Sequence, residues 1–134
     1  MEDWKIKISV LWLLHTLGSV FVGFVMWLEP GVIEEIIAGE VMGTKITPEI
    51  LLIVSIEFLV PFFMAFLSLT LNDSINRWLN IIVGIVFAAL GLISVIEYLA
   101  IPSAYFAYAV LVWFSILVVT ALVVWYAWKS KQKT

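Results

Sequence analysis

The chain has 134 residues, 64% of them hydrophobic, and its seven Lys or Arg against ten Asp or Glu leave a formal net charge of −3. A mean hydropathy of +1.16 lies far from the roughly half-apolar usage of soluble domains, which excludes a soluble globular protein and implies a membrane protein with no affinity for nucleic acid. With no cysteine and one histidine, the chain lacks the thiolate pair of disulfide and quinone redox enzymes, a bis-histidine haem site and a multi-histidine zinc site.

At about 20 residues per crossing the length suits four helices. Four apolar runs occur, at residues 8–28, 50–71, 75–99 and 104–128. None alternates with period two, which rules out a β-barrel. The predicted fold is all-α: a four-helix membrane bundle forming one transmembrane domain over residues 1–134, with a short interfacial helix between the first two spans.

Lys5 and Lys7 precede the first run as they would a secretory signal, but the run is longer than a usual signal core. It ends in WLEPGV rather than at a small-residue cleavage site, so it reads as a retained helix. Its His15, Gly18, Ser19 and Gly23 are the residues able to face other helices.

The segment at residues 30–43 sets Val32, Ile33, Ile36, Ile37 and Val41 at helical spacing with Glu34 and Glu35 in the first turn. That pattern predicts an amphipathic helix lying in the interface and ended by Gly39 or Gly43, either a lid or a plain linker. Its scattered acids do not make a metal site.

Thr47, Pro48 and Glu49 form a start signal for the second run. Within it, Glu57 lies about seven residues, or roughly 10 Å, inside the apolar boundary. Intramembrane acids face bundle interiors and mark function. An unpaired carboxylate in hydrocarbon neutralises before it stays charged, so Glu57 is expected as a neutral acid bonded to a polar group or ligand. Pro61, four residues on, removes the N–H that would bond the Glu57 carbonyl.

The connection NDS at residues 72–74 is short enough to predict that the second and third helices are antiparallel neighbours. The third run repeats Asn76, Asn80, Gly84, Ala88, Gly91 and Tyr98 at spacings of three, four and seven. In lipid, small and polar residues mark the face where helices meet, within the chain or in a homo-oligomer through Gly84, Ala88 and Gly91. Asn80 and His15 are close in depth, and a hydrogen-bonded pair is one reading of them. The fourth run opens at Ser103 and offers Tyr105, Tyr108 and Ser115, with Trp113 near mid-membrane. The other tryptophans, Trp12 among them, sit where interfacial anchors belong.

Lys5, Lys7, Arg77, Lys129, Lys131 and Lys133 fall at the termini and the second connection, and only Lys45 at the opposite ends. The positive-inside rule then predicts a multi-pass protein of the cell membrane with both termini cytoplasmic.

The stretch PFFMAFLSLTLNDSINRWLNIIVG, residues 61–84, with PGVIEEIIAG and ITPEILL before it, resembles a family of small four-helix prokaryotic membrane proteins of unknown function, broadly DoxX-like. Asn76, Arg77, Trp78 and Asn80 carry the motif. The resemblance implies a four-helix membrane fold and supplies no activity.

Three function classes fit. One is a non-catalytic binding or accessory protein holding a lipid or other apolar molecule in its bundle, with membrane lipids as partners. The others are a proton-coupled small-molecule transporter using Glu57 and an isomerase-like enzyme on an apolar substrate. The first is the reading adopted, with Glu57, His15, Asn80, Trp113 and Tyr108 as candidate ligand-binding residues and no catalytic residue, metal or cofactor assigned.

Overall fold

The computed structural model describes residues 2–130. Lys131 and Lys133, used in the orientation argument, lie outside them. The chain runs as helix α1 (Asp3–Met26), a short helix α2 (Val32–Ile37), strands β1 (Glu40–Val41) and β2 (Thr44–Lys45), and helices α3 (Pro48–Thr70), α4 (Asp73–Ala100) and α5 (Ala107–Lys129). The fold is all-α apart from this two-stranded hairpin, and α1, α3, α4 and α5 are each long and apolar enough to cross a membrane.

The helix starts follow the capping chemistry in the sequence. The Thr47 hydroxyl accepts from the Ile50 N–H at 3.3 Å, and the Asn72 side chain accepts from Ile75 at 3.1 Å, satisfying donors that an α-helix leaves free at its N-terminus. Between α1 and α3 the helical pattern stops early, at Ile37. Gly39 at φ +84° turns the chain, and Met42 and Gly43 follow at φ +49° and +73°. Two consecutive left-handed residues are what a two-residue hairpin turn with the twist of its strands requires, so the predicted helix over 30–43 is half hairpin.

Helix pairing departs from the expectation drawn from the shortest connection. The principal contacts run α3 to α1, α1 to α5 and α5 to α4, while α3 and α4 barely touch. Glycine explains the preference of α4 for α5. A Cβ on Gly84 would lie 2.7 Å from Val124 Cγ2, and one on Gly91 3.7 Å from the Leu117 backbone, so the missing side chains let these helices approach closely. The small-residue stripe is thus filled by α5 of the same chain. Gly18 does the same for α1, its absent Cβ lying 3.1 Å from Ile116.

The bundle has two unlike ends. At the basic end, the Lys5 ammonium pairs with Asp73 at 2.5 Å, and the Arg77 guanidinium lies 5.0 Å from the Trp78 ring and 5.7 Å from that of Trp128. Lys129 lies 4.5 Å over Trp125. These cations over aromatic faces form the belt expected at a membrane interface. The other end carries the hairpin and most of the acids.

Candidate functional site

In the half of the bundle nearer the basic end, polar side chains from three helices satisfy one another. Asn80 Oδ1 accepts from the Trp12 indole N–H at 2.6 Å and from the Ser68 hydroxyl at 3.2 Å. Asn80 Nδ2 donates to Asn76 Oδ1 at 2.7 Å, and Asn76 Nδ2 donates to the Ser68 carbonyl at 2.7 Å. Trp12, Ser68, Asn76 and Asn80 are each 0% exposed. Trp12 is therefore a core residue here and not an interfacial anchor, because its N–H has found a buried acceptor. Asn80 has its hydrogen bonds filled by the protein, and none goes to His15. The imidazole instead packs edge-on against Phe87, centroids 5.2 Å apart, and beside Trp12 at 5.8 Å. Among the described residues its Nδ1 is buried without a partner.

One turn beyond His15, Ser19 marks the floor of a cavity of about 160 Å³ in the hairpin half, lined from all four long helices by Ser19, Gly23, Glu57, Phe58, Tyr98 and Trp113 among others. The cavity exists because α3 and α4 meet only near their connection, where Ser68 reaches Asn76 and Asn80. Toward the hairpin the two helices leave a lateral gap. Glu57 stands in it, exposed along one side and lining the cavity with the other.

The polar groups around this cavity are unmatched. The Glu57 carboxyl makes no hydrogen bond or ion pair among the described residues. Its main-chain carbonyl has lost the usual helical donor, since Pro61 has no N–H. The Trp113 indole N–H is buried and faces the Tyr98 hydroxyl, close enough to interact with it but short of a well-formed hydrogen bond. That hydroxyl is turned toward the Met42 sulfur, 3.6 Å away in the hairpin turn.

Two apolar spaces adjoin the cavity. A groove of about 680 Å³ runs between α1 and α3 under the hairpin, lined by Val20, Phe24, Ile46, Ile50 and Val54, and it shares Gly23 and Phe58 with the cavity. A vestibule of about 470 Å³ near Met42, Ser94 and Glu97 shares Tyr98 and Trp113 with it.

Of the five candidate residues, the structure brings Glu57 and Trp113 together. Tyr108 lies at the hairpin end, its hydroxyl donating to the Glu29 carboxylate. Asn80 belongs to the closed network, and His15 lies between the two regions. Tyr98, Phe58 and Gly23 were not candidate ligand-binding residues. Tyr98 stood in the helix-facing stripe of the third run and Gly23 on the inward side of the first, and nothing in a single sequence separates a packing glycine from one that leaves a space.

The sequence model of one family matches residues 1–134. The chain belongs to DUF6326, a family of unknown function. The match spans the Asn76, Arg77, Trp78 and Asn80 motif, whose asparagines are the hub of the buried network, and the wider DoxX-like likeness is not part of it. No curated protein and no solved structure matches this DUF6326 member.

Proposed function

We propose that the protein is a non-catalytic binding or accessory protein that holds an apolar molecule with a small polar head between its four helices. The observation that carries this reading is one cavity lined both by Glu57, whose carboxyl has no partner among the described residues, and by Trp113, whose buried N–H lacks a well-formed hydrogen bond. Buried polar groups are ordinarily paired, and an unpaired one costs about 1–3 kcal/mol. Elsewhere in the same bundle every polar side chain of the Asn76 and Asn80 network is paired, so the unmatched set marks a place where a ligand supplies the missing partners. Pockets for drug-sized ligands measure about 300–1,000 Å³. The cavity alone is smaller and takes a head group, while the adjoining groove has room for a tail.

The test is native mass spectrometry of the protein purified in mild detergent, with Glu57→Ala and Trp113→Phe beside it. A co-purifying small molecule held by the wild type and lost from both variants supports the reading. A wild type bare of adducts under conditions that retain annular lipid refutes it. Orientation is part of the proposal: the cation and aromatic belt of Lys5, Lys7, Arg77 and Lys129 faces the cytoplasm. Cysteines placed singly at Ser130 and Gly43 then label from opposite sides of the membrane, Ser130 from within.

A further inference from the structure

Among the glycines of the long helices, one differs in kind. Gly18, Gly84 and Gly91 each abut a neighbour, whereas a Cβ built on Gly23 meets nothing within 4 Å. Gly23 is nevertheless half-buried and lies on α1 between two spaces, lining both the Glu57 cavity and the α1–α3 groove. Gly23 lies in the last turn of α1, and no close helix approach there calls for a glycine. What its missing side chain provides is an open window from the Glu57 cavity into the apolar groove, framed on the α3 side by Phe58.

The groups on the cavity side restrict what can sit there. Glu57 offers carboxyl oxygens and a main-chain carbonyl, and Trp113 offers an N–H. An ammonium donates only and leaves the indole unsatisfied in either state of Glu57; an ester or a carboxylate accepts only and pairs with Glu57 only when that side chain carries a proton. A hydroxyl fits either state of Glu57: it donates to the carboxylate while accepting from Trp113, and it accepts from both when Glu57 carries a proton. Anionic heads meet a further obstacle, because Glu29, Glu34, Glu35, Glu40, Glu49, Glu57 and Glu97 lie in this half with Lys45 as the one cation among the described residues.

We infer that the ligand is a neutral lipid bearing a single hydroxyl, a long-chain or isoprenoid alcohol, with its hydroxyl between Glu57 and Trp113 and its chain passing the Gly23 window into the α1–α3 groove. The inference rests on the binding reading above and adds the head-group chemistry and the route of the tail. The groove is occupied by the tail of the molecule whose head fills the cavity, which separates it from a surface that merely collects bulk acyl chains.

The test uses 1-hexadecanol carrying a diazirine near its chain end, photolysed with the full-length protein in phosphatidylcholine nanodiscs and mapped by peptide mass spectrometry. Hexadecylamine, hexadecanoic acid and hexadecane with the same diazirine serve as head-group controls. The wild type is expected to be labelled by the alcohol on groove residues such as Val20, Phe24, Ile50 and Val54, about tenfold above each control, the change expected from losing one paired hydrogen bond. Gly23→Phe closes the window and is expected to lose groove labelling while unfolding at the wild-type temperature; Gly23→Ala, for which there is room, keeps most of it. Trp113→Phe retains the ring and is expected to lose the preference for alcohol over amine. Equal labelling by all four probes would leave only bulk lipid in the groove and overturn the inference, as would undiminished labelling in Gly23→Phe. Preference for the amine or the acid would overturn the head-group assignment while leaving the binding reading intact, whereas native spectra bare of any adduct refute that reading itself.

Discussion

The two halves of this bundle hold similar numbers of polar side chains and use them in opposite ways. Near the basic end, Trp12, Ser68, Asn76 and Asn80 close a ring of hydrogen bonds across α1, α3 and α4 with no exposed surface. Near the hairpin, Ser19, Glu57, Tyr98 and Trp113 surround a space and leave it unbridged. Lipid provides no hydrophobic force between helices, so paired polar groups and close packing must hold them together. The first half supplies the paired polar groups, and the glycine contacts of α1 and α4 with α5 supply the close packing. The second half is thereby free to remain open, and its polar groups are available to a ligand.

The largest expected effect lies in the closed half. Asn80→Ala removes the acceptor of the Trp12 N–H and the donor to Asn76 Oδ1, both fully buried. Leaving such groups unpaired costs about 1–3 kcal/mol each, reduced where the chain unfolded in the membrane finds other partners. A loss of about 2–4 kcal/mol is expected in detergent unfolding, and a loss below about 0.5 kcal/mol would mean that the network does not hold the bundle shut.

Next comes Gly84→Leu, between the halves. The first added carbon would already sit 2.7 Å from Val124, and overpacking of this sort costs about 1–3 kcal/mol. A melting temperature equal to that of the wild type would show that α4 and α5 separate freely, and with that the division into a rigid and an open half would fail.

These two residues also show what was legible before the fold was known. The four spans were plain because each apolar run exceeds the thickness of the hydrocarbon core, and the Asn76 to Gly91 stripe was plain because its spacing is helical. Which helix meets that stripe was not. A three-residue connection limits the distance between the ends of α3 and α4 but not along their lengths, and the glycines of α4 decide for α5 instead. The hairpin was hidden because its turn is Met42–Gly43, where a left-handed pair is usually announced by asparagine or aspartate before the glycine. Trp12 was misplaced because a tryptophan near a helix end ordinarily anchors at the interface, and its acceptor lies 68 residues away in sequence. At the site, Glu57 was visible as an acid in an apolar run. The space beside it was not, because a cavity is made by where α3 and α4 fail to meet.

A smaller effect is expected in the hairpin. Gly43 adopts φ +73° with open space around it, so Gly43→Val strains the backbone without a clash, at a cost on the order of 1–3 kcal/mol confined to the turn. Amide exchange should accelerate at Ile46, whose N–H bonds the Gly39 carbonyl at 2.8 Å, while the unfolding temperature of the bundle stays unchanged. Cooperative loss of the whole fold would show that the hairpin belongs to the rigid half after all.

The smallest effect on stability is expected at the residue most tied to function. Glu57→Gln keeps shape, a donor and an acceptor, and it disturbs no contact because the carboxyl bonds nothing in the protein. Detergent unfolding should therefore move by less than about 0.5 kcal/mol, as for a substitution away from any packed or paired feature. The same change in the closed half, a fully buried Asn80 altered by one polar atom, would not be so quiet, since each side-chain polar atom of Asn80 has a partner. If Glu57→Gln destabilises the protein by several kcal/mol, then the carboxyl is a structural member like Asn80, its partner lies within the fold, and the open half is closed in solution. If stability is untouched while ligand retention in native spectra falls, the unmatched carboxyl is there for the ligand, and the contrast between the two halves separates what holds the bundle from what it holds.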